Sequence, residues 1–450
     1  MREFRLSDIL SPRGIIYWRR KLWESQYYTP ERLRELQWKL LTRILDHCWV
    51  HVPYYRKAFA RLGLERSDFR SLDDLSRLPV IDKFTVLDQR EELKADNIVR
   101  FRPREMFTSG TTGTPVGFYW DVDSTVLELI SQWRHFSWSG YRLGDAFLDI
   151  RSMVLRSGRD HQWNRKCRGL ELSSDLMDST NVGRFAELLR RYRIRLWRGH
   201  PSAMSHFIRL LQAAGIASIK PKIIITVAET LLDGERHLIE SWAGIPVGDS
   251  YGQVEHVALI CQCPKGGHHI CSEYGIVEIL NEDGSPARPG EEGRIVATSL
   301  HNRALPLLRY DTGDFAVASD QTCRCGRTLP LISSFTGRTD DRLMTTAGRW
   351  ISGLRFSHCL TKGVRRAQIV QKDRDGVDVY VVPTPDWDAE TEESVRRELR
   401  KRLGESMDIR VHRVAGIPFD GGRKFKFVVS LLDSKEPVDR RFSREALRKA

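Results

Sequence analysis

The fold of this chain is decided by one short stretch, Phe107-Thr-Ser-Gly-Thr-Thr-Gly-Thr-Pro-Val-Gly117. Its hydroxyls and glycines alternate at Thr108, Ser109, Gly110, Thr111, Thr112 and Gly113. Such a loop turns tightly and directs N–H and O–H donors at one point, as phosphate-binding loops do. It is not a lysine-bearing P-loop, because no Gly-Lys-Ser/Thr follows, and it lacks the context of a dinucleotide fingerprint. A Ser/Thr/Gly cluster alone is more often a polar surface turn, so phosphate binding depends on motifs further along the chain.

Length and composition fit an ordinary globular protein. The 450 residues suffice for two or three domains, and the hydrophobic fraction is 41%. No apolar run approaches the roughly 20 residues of a membrane span, and the first residues lack the apolar stretch of a signal peptide. We therefore expect a cytoplasmic protein without a transmembrane segment.

The net charge of +13 suits polyanionic partners such as nucleotides or coenzyme A, but solvated surface charge is the more ordinary explanation, so the charge is weak evidence. No nucleic-acid-binding module is evident, so no nucleic-acid partner is expected.

The order of the predicted elements indicates an α/β protein. Thr29 and Pro30 predict a helix start, and leucines at helical spacing follow until Pro53 ends the pattern. Lys222–Ala228 is the best candidate for a buried strand. Further strands are predicted at Ala146–Ile150, Ile194–Trp197, Gly275–Leu280, Gly293–Leu300, Leu305–Val317, Ala367–Val370, Val377–Val382 and Ile409–Val414, and helices at Phe185–Tyr192, Met204–Ala213 and Glu392–Leu403.

This pattern predicts a large multi-subdomain α/β domain followed by a small α+β domain. Residues 1–105 form a helical region of the large domain, residues 106–340 a nucleotide- and acyl-binding core with a β-rich subdomain, and residues 341–450 a small mobile C-terminal lid.

Three further strings carry side chains suited to nucleotide chemistry. Asp249-Ser-Tyr-Gly-Gln-Val-Glu255 follows a predicted strand end, where Tyr251 suits stacking on a base and Glu255 suits Mg²⁺. Arg309-Tyr-Asp-Thr-Gly-Asp314 is predicted to place a carboxylate behind a tight turn, in reach of ribose hydroxyls. Gly337-Arg-Thr-Asp-Asp341 adds a guanidinium for ribose or phosphate. Each string alone is weak evidence.

Cysteine and histidine residues cluster in two places. Cys261-x-Cys263, His268, His269 and Cys271 precede a second pair, Cys323-x-Cys325. Thiolates with imidazole are the ligands that tetrahedral zinc selects. Reduced, buried cysteines are the alternative.

The order and spacing of these strings, with Ala228-Glu229-Thr230 between them, resembles the adenylate-forming superfamily of acyl-CoA synthetases. The resemblance is closest to the phenylacetate–CoA ligase branch, including its capsule-biosynthesis-like members, and spans essentially the whole chain. Three more strings look like motifs of that branch: His51-Val-Pro-Tyr-Tyr55, Thr298-Ser-Leu-His-Asn302 and Cys323-Arg-Cys-Gly-Arg327.

The resemblance implies a reaction in two halves. A small carboxylic acid attacks the α-phosphate of Mg·ATP to give an acyl-adenylate and pyrophosphate, and coenzyme A then displaces AMP. It also implies these roles: Thr108 to Gly113 bind phosphate, Ala228 and Glu229 line the adenine and acyl region, Tyr251 beside Gly252 stacks on adenine, Glu255 carries Mg²⁺, Asp314 and Arg338 bind ribose, and Asp340 is the hinge of the small domain.

A lysine is expected from the small domain. Gly421-Gly-Arg-Lys-Phe-Lys426 resembles the family's late Gly-Lys motif, with Lys424 as the catalytic candidate and Lys426 as the reserve. An ordinary basic surface turn is the alternative. Many relatives carry lysine where this chain has Thr114, so a slow or altered adenylation step is an open alternative.

The resemblance also selects His269 over His268, giving Cys263, His269, Cys323 and Cys325 as ligands of a structural zinc. Two other functions stay open: a ligase that passes the acyl group to an amine in polysaccharide biosynthesis, and a catalytically weak nucleotide- or acyl-binding relative. Dimers are common among relatives, which leaves a homodimer open.

Overall fold

The computed structural model describes residues 12–107, 116–151, 155, 159–217, 219–338, 342–348, 350–352, 363–417 and 427–432. The chain divides into two compact units. The first comprises residues 1–145, 222–228 and 246–335, and the second comprises residues 146–221, 229–245 and 336–450.

The α-helices of the described residues are α1 (Pro12–Ser25), α2 (Pro30–His51), α3 (Pro53–Leu62), α4 (Lys83–Leu93), α5 (Val122–Trp138), α6 (Val182–Arg191), α7 (Pro201–Ala213), α8 (Asp233–Ala243) and α9 (Ala389–Leu403). The strands are β1 (Arg104–Phe107), β2 (Gly117–Trp120), β3 (Phe147–Arg151), β4 (His161–Asn164), β5 (Gly169–Ser173), β6 (Leu196–Gly199), β7 (Ile223–Val227), β8 (Val247–Gly252), β9 (Leu259–Gln262), β10 (His268–Ile270), β11 (Gly275–Leu280), β12 (Glu292–Ser299), β13 (Tyr310–Ala318), β14 (Leu331–Arg338), β15 (Arg342–Met344), β16 (Trp350–Ser352), β17 (Val364–Gln371), β18 (Gly376–Pro383), β19 (Asp408–Arg413) and β20 (Val428–Ser430). Both the helices and the strands predicted from the sequence are confirmed, with shifted ends.

Helix α2 shows how local sequence sets the first unit. The side chain of Thr29 accepts a hydrogen bond from the backbone N–H of Arg32, and Pro30 occupies the first turn. Leu41 and Leu45 are fully buried in a core that α3 shares. Burial of each leucine contributes about 1.5–3 kcal/mol, so packing rather than propensity holds this helix.

The larger sheet of the first unit is largely antiparallel. Its strands lie in the order β11-β12-β13-β14-β10-β9-β8-β7, with β7 and β8 parallel. The pairing of β12 with β13 shifts register between Arg294 and Val296, and Gly313 has φ 72° opposite that shift. Asp314 therefore lies on a bulge inside strand β13, and the predicted tight turn before it is wrong. The bulge turns the carboxylate out of the regular ladder.

The described strands of the second unit belong to three sheets, of which β15 and β16 form a two-stranded one. In the second, β6, β3 and β5 are parallel neighbours and β4 lies antiparallel at the edge next to β5. In the third, the order is β19-β18-β17-β20, and α9 packs its buried face on this sheet. The mixed α/β class, with an α+β C-terminal part, is as predicted. None of the helices in the described part of the chain is long and apolar enough to span a bilayer.

Candidate functional site

Two of the sequence strings meet in the first unit. Tyr251, near the end of β8, donates a hydrogen bond of 2.7 Å from its hydroxyl to Oδ2 of Asp314 on β13. The Tyr251 ring stacks on Phe335, with 4.8 Å between the ring centroids. Gly252 ends strand β8 beside this tyrosine and is exposed. The residues predicted to face a base and a ribose therefore touch each other.

The loop that follows β8 contacts β13 at Glu255. Its Oε1 accepts a hydrogen bond of 3.0 Å from the hydroxyl of Tyr310, a buried residue at the start of β13. Gln253 lies between the two contacts, and its Nε2 is 3.4 Å from the Tyr251 hydroxyl. Carboxylate oxygens are the ligands that a hard cation such as Mg²⁺ prefers, so a carboxylate oriented in this way suits that role.

Sequence reasoning missed Tyr310, Phe335 and Gln253 as parts of this site. Tyr310 lies inside the string Arg309–Asp314, and Gln253 lies inside the string Asp249–Glu255. Their positions in these motifs therefore offered a signal for both residues. Nothing in the sequence distinguishes Phe335, since its role follows only from strand pairing.

Ala228 and Glu229 differ in their surroundings. Ala228 directly follows β7 and has φ 68°, a left-handed conformation that is rare for a residue other than glycine and marks sites under constraint. In the second unit, Oε2 of Glu229 accepts a hydrogen bond of 2.7 Å from Ser202, and its Oε1 lies 3.2 Å from Nδ1 of His200. Burial would raise the pKa of Glu229, but His200 and Ser202 hold that pKa below its ordinary value. This buried carboxylate is therefore ionised.

His200 and Ser202 were not among the predicted site residues. They flank Pro201 at the start of α7, a position that reads from the sequence as an ordinary helix start.

Several predicted site residues lie outside the described part of the chain. They are Thr108, Ser109, Gly110, Thr111, Thr112, Gly113, Asp340 and Lys424. The backbone of Arg338 ends strand β14, and its side chain is not described. The strands on either side of the hydroxyl-rich stretch do pair, since Phe107 of β1 lies opposite Gly117 of β2.

A second cluster, of sulfur and nitrogen ligands, lies in the first unit. One ligand atom from each of Cys263, His269, Cys323 and Cys325 lies within 4.8 Å of the others. Sγ of Cys263 is 3.5 Å from Sγ of Cys323, and Sγ of Cys325 is 3.2 Å from Nε2 of His269. Three thiols and one imidazole at these distances match the donor set of a closed structural zinc site.

The surroundings of His269 favour metal binding. Its Nδ1 lies 3.3 Å from the carbonyl oxygen of Leu329, which leaves Nε2 directed at the cysteines. Burial lowers the pKa of His269 to about 4, so the ring is neutral and its Nε2 lone pair is available. A Cβ on Gly267 would lie 2.7 Å from Sγ of Cys323, so the backbone approaches the cluster as only glycine permits.

Known proteins resemble this chain in sequence and in fold. Residues 343–431 match the family described as the CapK C-terminal domain. The phenylacetate-coenzyme A ligase of Thermus thermophilus is 27% identical over 70% of this chain and 72% of its own. Protein CapK of Staphylococcus aureus is 22% identical over 94% of this chain and 96% of its own.

Among solved structures, a 2-hydroxyisobutyryl-CoA ligase in the postadenylation state superimposes with a TM-score of 0.72 over 90% of both chains, at 18% identity. At that identity the likeness establishes the fold.

Proposed function

We propose a function from the premise that this chain belongs to the adenylate-forming superfamily of acyl-CoA synthetases, in its phenylacetate–CoA ligase and CapK-like branch. The chain is an AMP-forming acid–thiol ligase. It joins a carboxylic acid to ATP as an acyl-adenylate and then transfers the acyl group to coenzyme A.

The observation that carries this proposal is the hydrogen bond between Tyr251 and Asp314. It brings together, from two strings that are distant in sequence, the ring proposed to stack on adenine and the carboxylate proposed to bind ribose. Beside them, Tyr310 fixes Glu255, which would hold the Mg²⁺ that accompanies ATP. Bound there, Mg²⁺ would neutralise phosphate charge, and the protein's part is to orient Glu255.

The remaining proposed roles belong to residues whose side chains lie outside the described structure. Thr108 to Gly113 would donate hydrogen bonds to the phosphates, and Arg338 would join Asp314 at the ribose. Residues 341–450 would form a mobile domain that turns about Asp340 and delivers Lys424 to the α-phosphate. The match of residues 343–431 to a family of C-terminal domains supports that boundary.

Zinc would be held by Cys263, His269, Cys323 and Cys325. Its contribution would be structural, because four protein ligands leave no position for a substrate, and the metal would tie β10 and the turn after β9 to the segment before β14.

The experiment is pyrophosphate release from ATP with a panel of carboxylic acids, followed by coenzyme A and mass spectrometry of the product. Acid-dependent pyrophosphate release and a thioester product support the proposal. Tight AMP binding without release for any acid would instead identify a catalytically weak relative.

A second candidate function rests on the CapK similarity, which extends over 94% of this chain. In that case the acyl group passes to an amine during capsular polysaccharide synthesis. An amide product formed from candidate amines, with no thioester from coenzyme A, would select this function. A cytoplasmic location and a homodimer fit both functions and are tested by fractionation and by light scattering.

A further inference from the structure

The three parallel strands of the second unit have two unlike faces. On one face, Leu148 of β3 lies opposite Leu170 of β5 and Trp197 of β6. Trp197 packs against Phe207 of α7 and Trp242 of α8, with 5.4 Å between ring centroids in each pair. This face is apolar, as expected for parallel strands that helices cover.

The other face carries charge. Asp149 of β3 lies opposite Glu171 of β5 and Arg198 of β6. These side chains are buried, with residue exposures of 1%, 5% and 9% in that order. Taking charged groups out of water is costly unless they are paired and hydrogen-bonded. The packing of the sheet alone therefore does not account for three charged residues in one row.

Pairing within the row is incomplete. Oδ2 of Asp149 lies 3.0 Å from Arg151 and 3.5 Å from Arg198. Burial would raise the pKa of Asp149, but the two arginines hold it below its ordinary value, so the carboxylate is charged. Among the described residues, Oδ1 of Asp149 and Oε2 of Glu171 accept no hydrogen bond.

Neighbouring strands lie about 4.8 Å apart, so these two acceptor oxygens occupy one small region of the face. Buried polar atoms nearly always have a hydrogen-bond partner. Two carboxylate oxygens that lack one in the same region indicate a donor supplied by a ligand.

The row lies where a parallel sheet binds ligands. The chain leaves β3 for β4 and β5 on one side, and β6 lies on the other, so the strand order reverses at β3. Ligands bind at the carboxyl ends of strands at such a point. Arg151 is the last residue of β3, and His200 follows the end of β6 and contacts Glu229. Polar side chains therefore extend from this row of charged residues to Glu229, the residue assigned to the acyl region.

We propose that the carboxylic acid activated by this enzyme carries a hydrogen-bond donor, an amino or a hydroxyl group, which Asp149 and Glu171 recognise. This inference rests on the proposed ligase function and specifies its substrate class. A hydrocarbon side chain of the same size would leave both buried oxygens without a donor. Sites built to bond a substrate hydroxyl or amine reject the analogue that lacks it by a large factor, about 10⁴ or more in well-studied cases.

The test compares matched acids by pyrophosphate release. Phenylacetate is compared with its α-amino and α-hydroxy derivatives, and butanoate with its ω-amino and ω-hydroxy derivatives. We expect kcat/KM for a substituted acid to exceed that of its parent by about 100-fold or more, and the preferred derivative distinguishes amine from hydroxyl. Parent acids that match or surpass their derivatives in both series would overturn this inference and leave the ligase function standing. No release with any acid would contradict both.

Variants of Glu171 and Asp149 distinguish substrate recognition by these residues from a purely structural role. Glu171→Gln keeps the shape and removes the charge, so the ratio of kcat/KM for the substituted acid to that for its parent should fall about tenfold or more. Asp149→Asn should act in the same direction. Asp160→Asn is the control, because the Asp160 carboxylate pairs with Arg184 and His161 and not with a residue of the row, and it should leave the ratio unchanged.

Thermal melting confirms that each variant is folded. If folded Glu171→Gln and Asp149→Asn lose kcat/KM equally for the substituted acid and for its parent, the row has a purely structural role and the inference is overturned.

Discussion

The hydroxyl of Tyr251 donates a 2.7 Å hydrogen bond to the carboxylate of Asp314, across 63 residues of sequence. A bond from a neutral donor to an ionised acceptor is among the stronger kinds in proteins. It fixes the ring and the carboxylate relative to each other before a nucleotide binds. If ATP binds here as proposed, less ordering is required on binding, and this lowers the entropic cost.

Tyr251→Phe keeps the ring on Phe335 and removes only the hydroxyl. We expect KM for ATP to rise about five- to tenfold, equivalent to about 1–1.4 kcal/mol for one lost hydrogen bond, with kcat nearly unchanged. Tyr251→Ala also removes the stacking surface and should weaken ATP use further. Steady-state pyrophosphate release at varied ATP measures both, and an unchanged KM in Tyr251→Phe would exclude a role for the hydroxyl.

Glu255→Ala should shift the Mg²⁺ dependence of pyrophosphate release. We expect the half-saturating Mg²⁺ concentration to rise about tenfold or more, because a charged ligand to the cation is lost. Tyr310→Phe frees the Glu255 carboxylate from its 3.0 Å hydrogen bond and should produce a smaller shift in the same direction. The assignment of Glu255 fails if its alanine variant titrates with Mg²⁺ like the parent enzyme.

Lys424→Ala should slow adenylation about 100-fold while leaving ATP binding nearly unchanged, since the lysine acts on charge that develops at the α-phosphate. Single-turnover pyrophosphate release measures the first effect and calorimetric titration the second. Lys426→Ala is the matched control from the same string and should be nearly neutral. A larger loss in Lys426→Ala would transfer the role to that residue.

Protein purified without chelators should contain about one equivalent of zinc by elemental analysis. Cys325→Ser should lower the zinc content and the melting temperature together, because the metal stabilises the folded state. Cys167→Ser is the control, since Cys167 is a half-buried free cysteine outside the cluster. If the parent protein contains no zinc and Cys325→Ser melts at the same temperature as the parent, the zinc site is excluded.

Asp121 provides a pH-dependent prediction. Its carboxylate caps α5 and accepts hydrogen bonds from the backbone of Ser124 and Arg303. Burial nevertheless raises the pKa of Asp121 from 3.8 to about 6. The folded-state pKa exceeds the unfolded value, so its contribution to stability is complete below about pH 4 and is lost as pH rises to about 6. The change amounts to about 3 kcal/mol at 1.36 kcal/mol per unit.

Asparagine does not titrate, so the melting temperature of the parent minus that of Asp121→Asn should fall between pH 4 and pH 6 and then level off. Asp74→Asn should show the opposite trend. Hydrogen bonds from the backbone of Arg70 and Ser71 lower the pKa of Asp74, so its contribution is lost as pH falls. If the melting-temperature difference between parent and variant changed with pH in the same direction for both variants, the opposite pKa shifts assigned to Asp121 and Asp74 would be contradicted.

Local sequence was sufficient for the individual elements. Thr29, Pro30 and Pro53 bound helix α2 because capping and proline geometry act within a few residues. The same holds for β7, whose β-branched residues lie inside the predicted Lys222–Ala228 segment. The order of motifs along the chain also indicated the resemblance to phenylacetate–CoA ligases and CapK that the sequence comparisons support.

Contacts between distant strands were decided only by the tertiary structure. Cys263 and Cys323 lie 60 residues apart and meet at 3.5 Å, and Asp149 lies beside Glu171 and Arg198 through strand register. Asp314 lies on a bulge that the string Tyr-Asp-Thr-Gly-Asp does not distinguish from a turn. The sequence alone determined which chemical groups this protein carries and in what order. Register, bulges and burial depend on packing between segments far apart in the chain, so only the folded structure determined which of those groups meet.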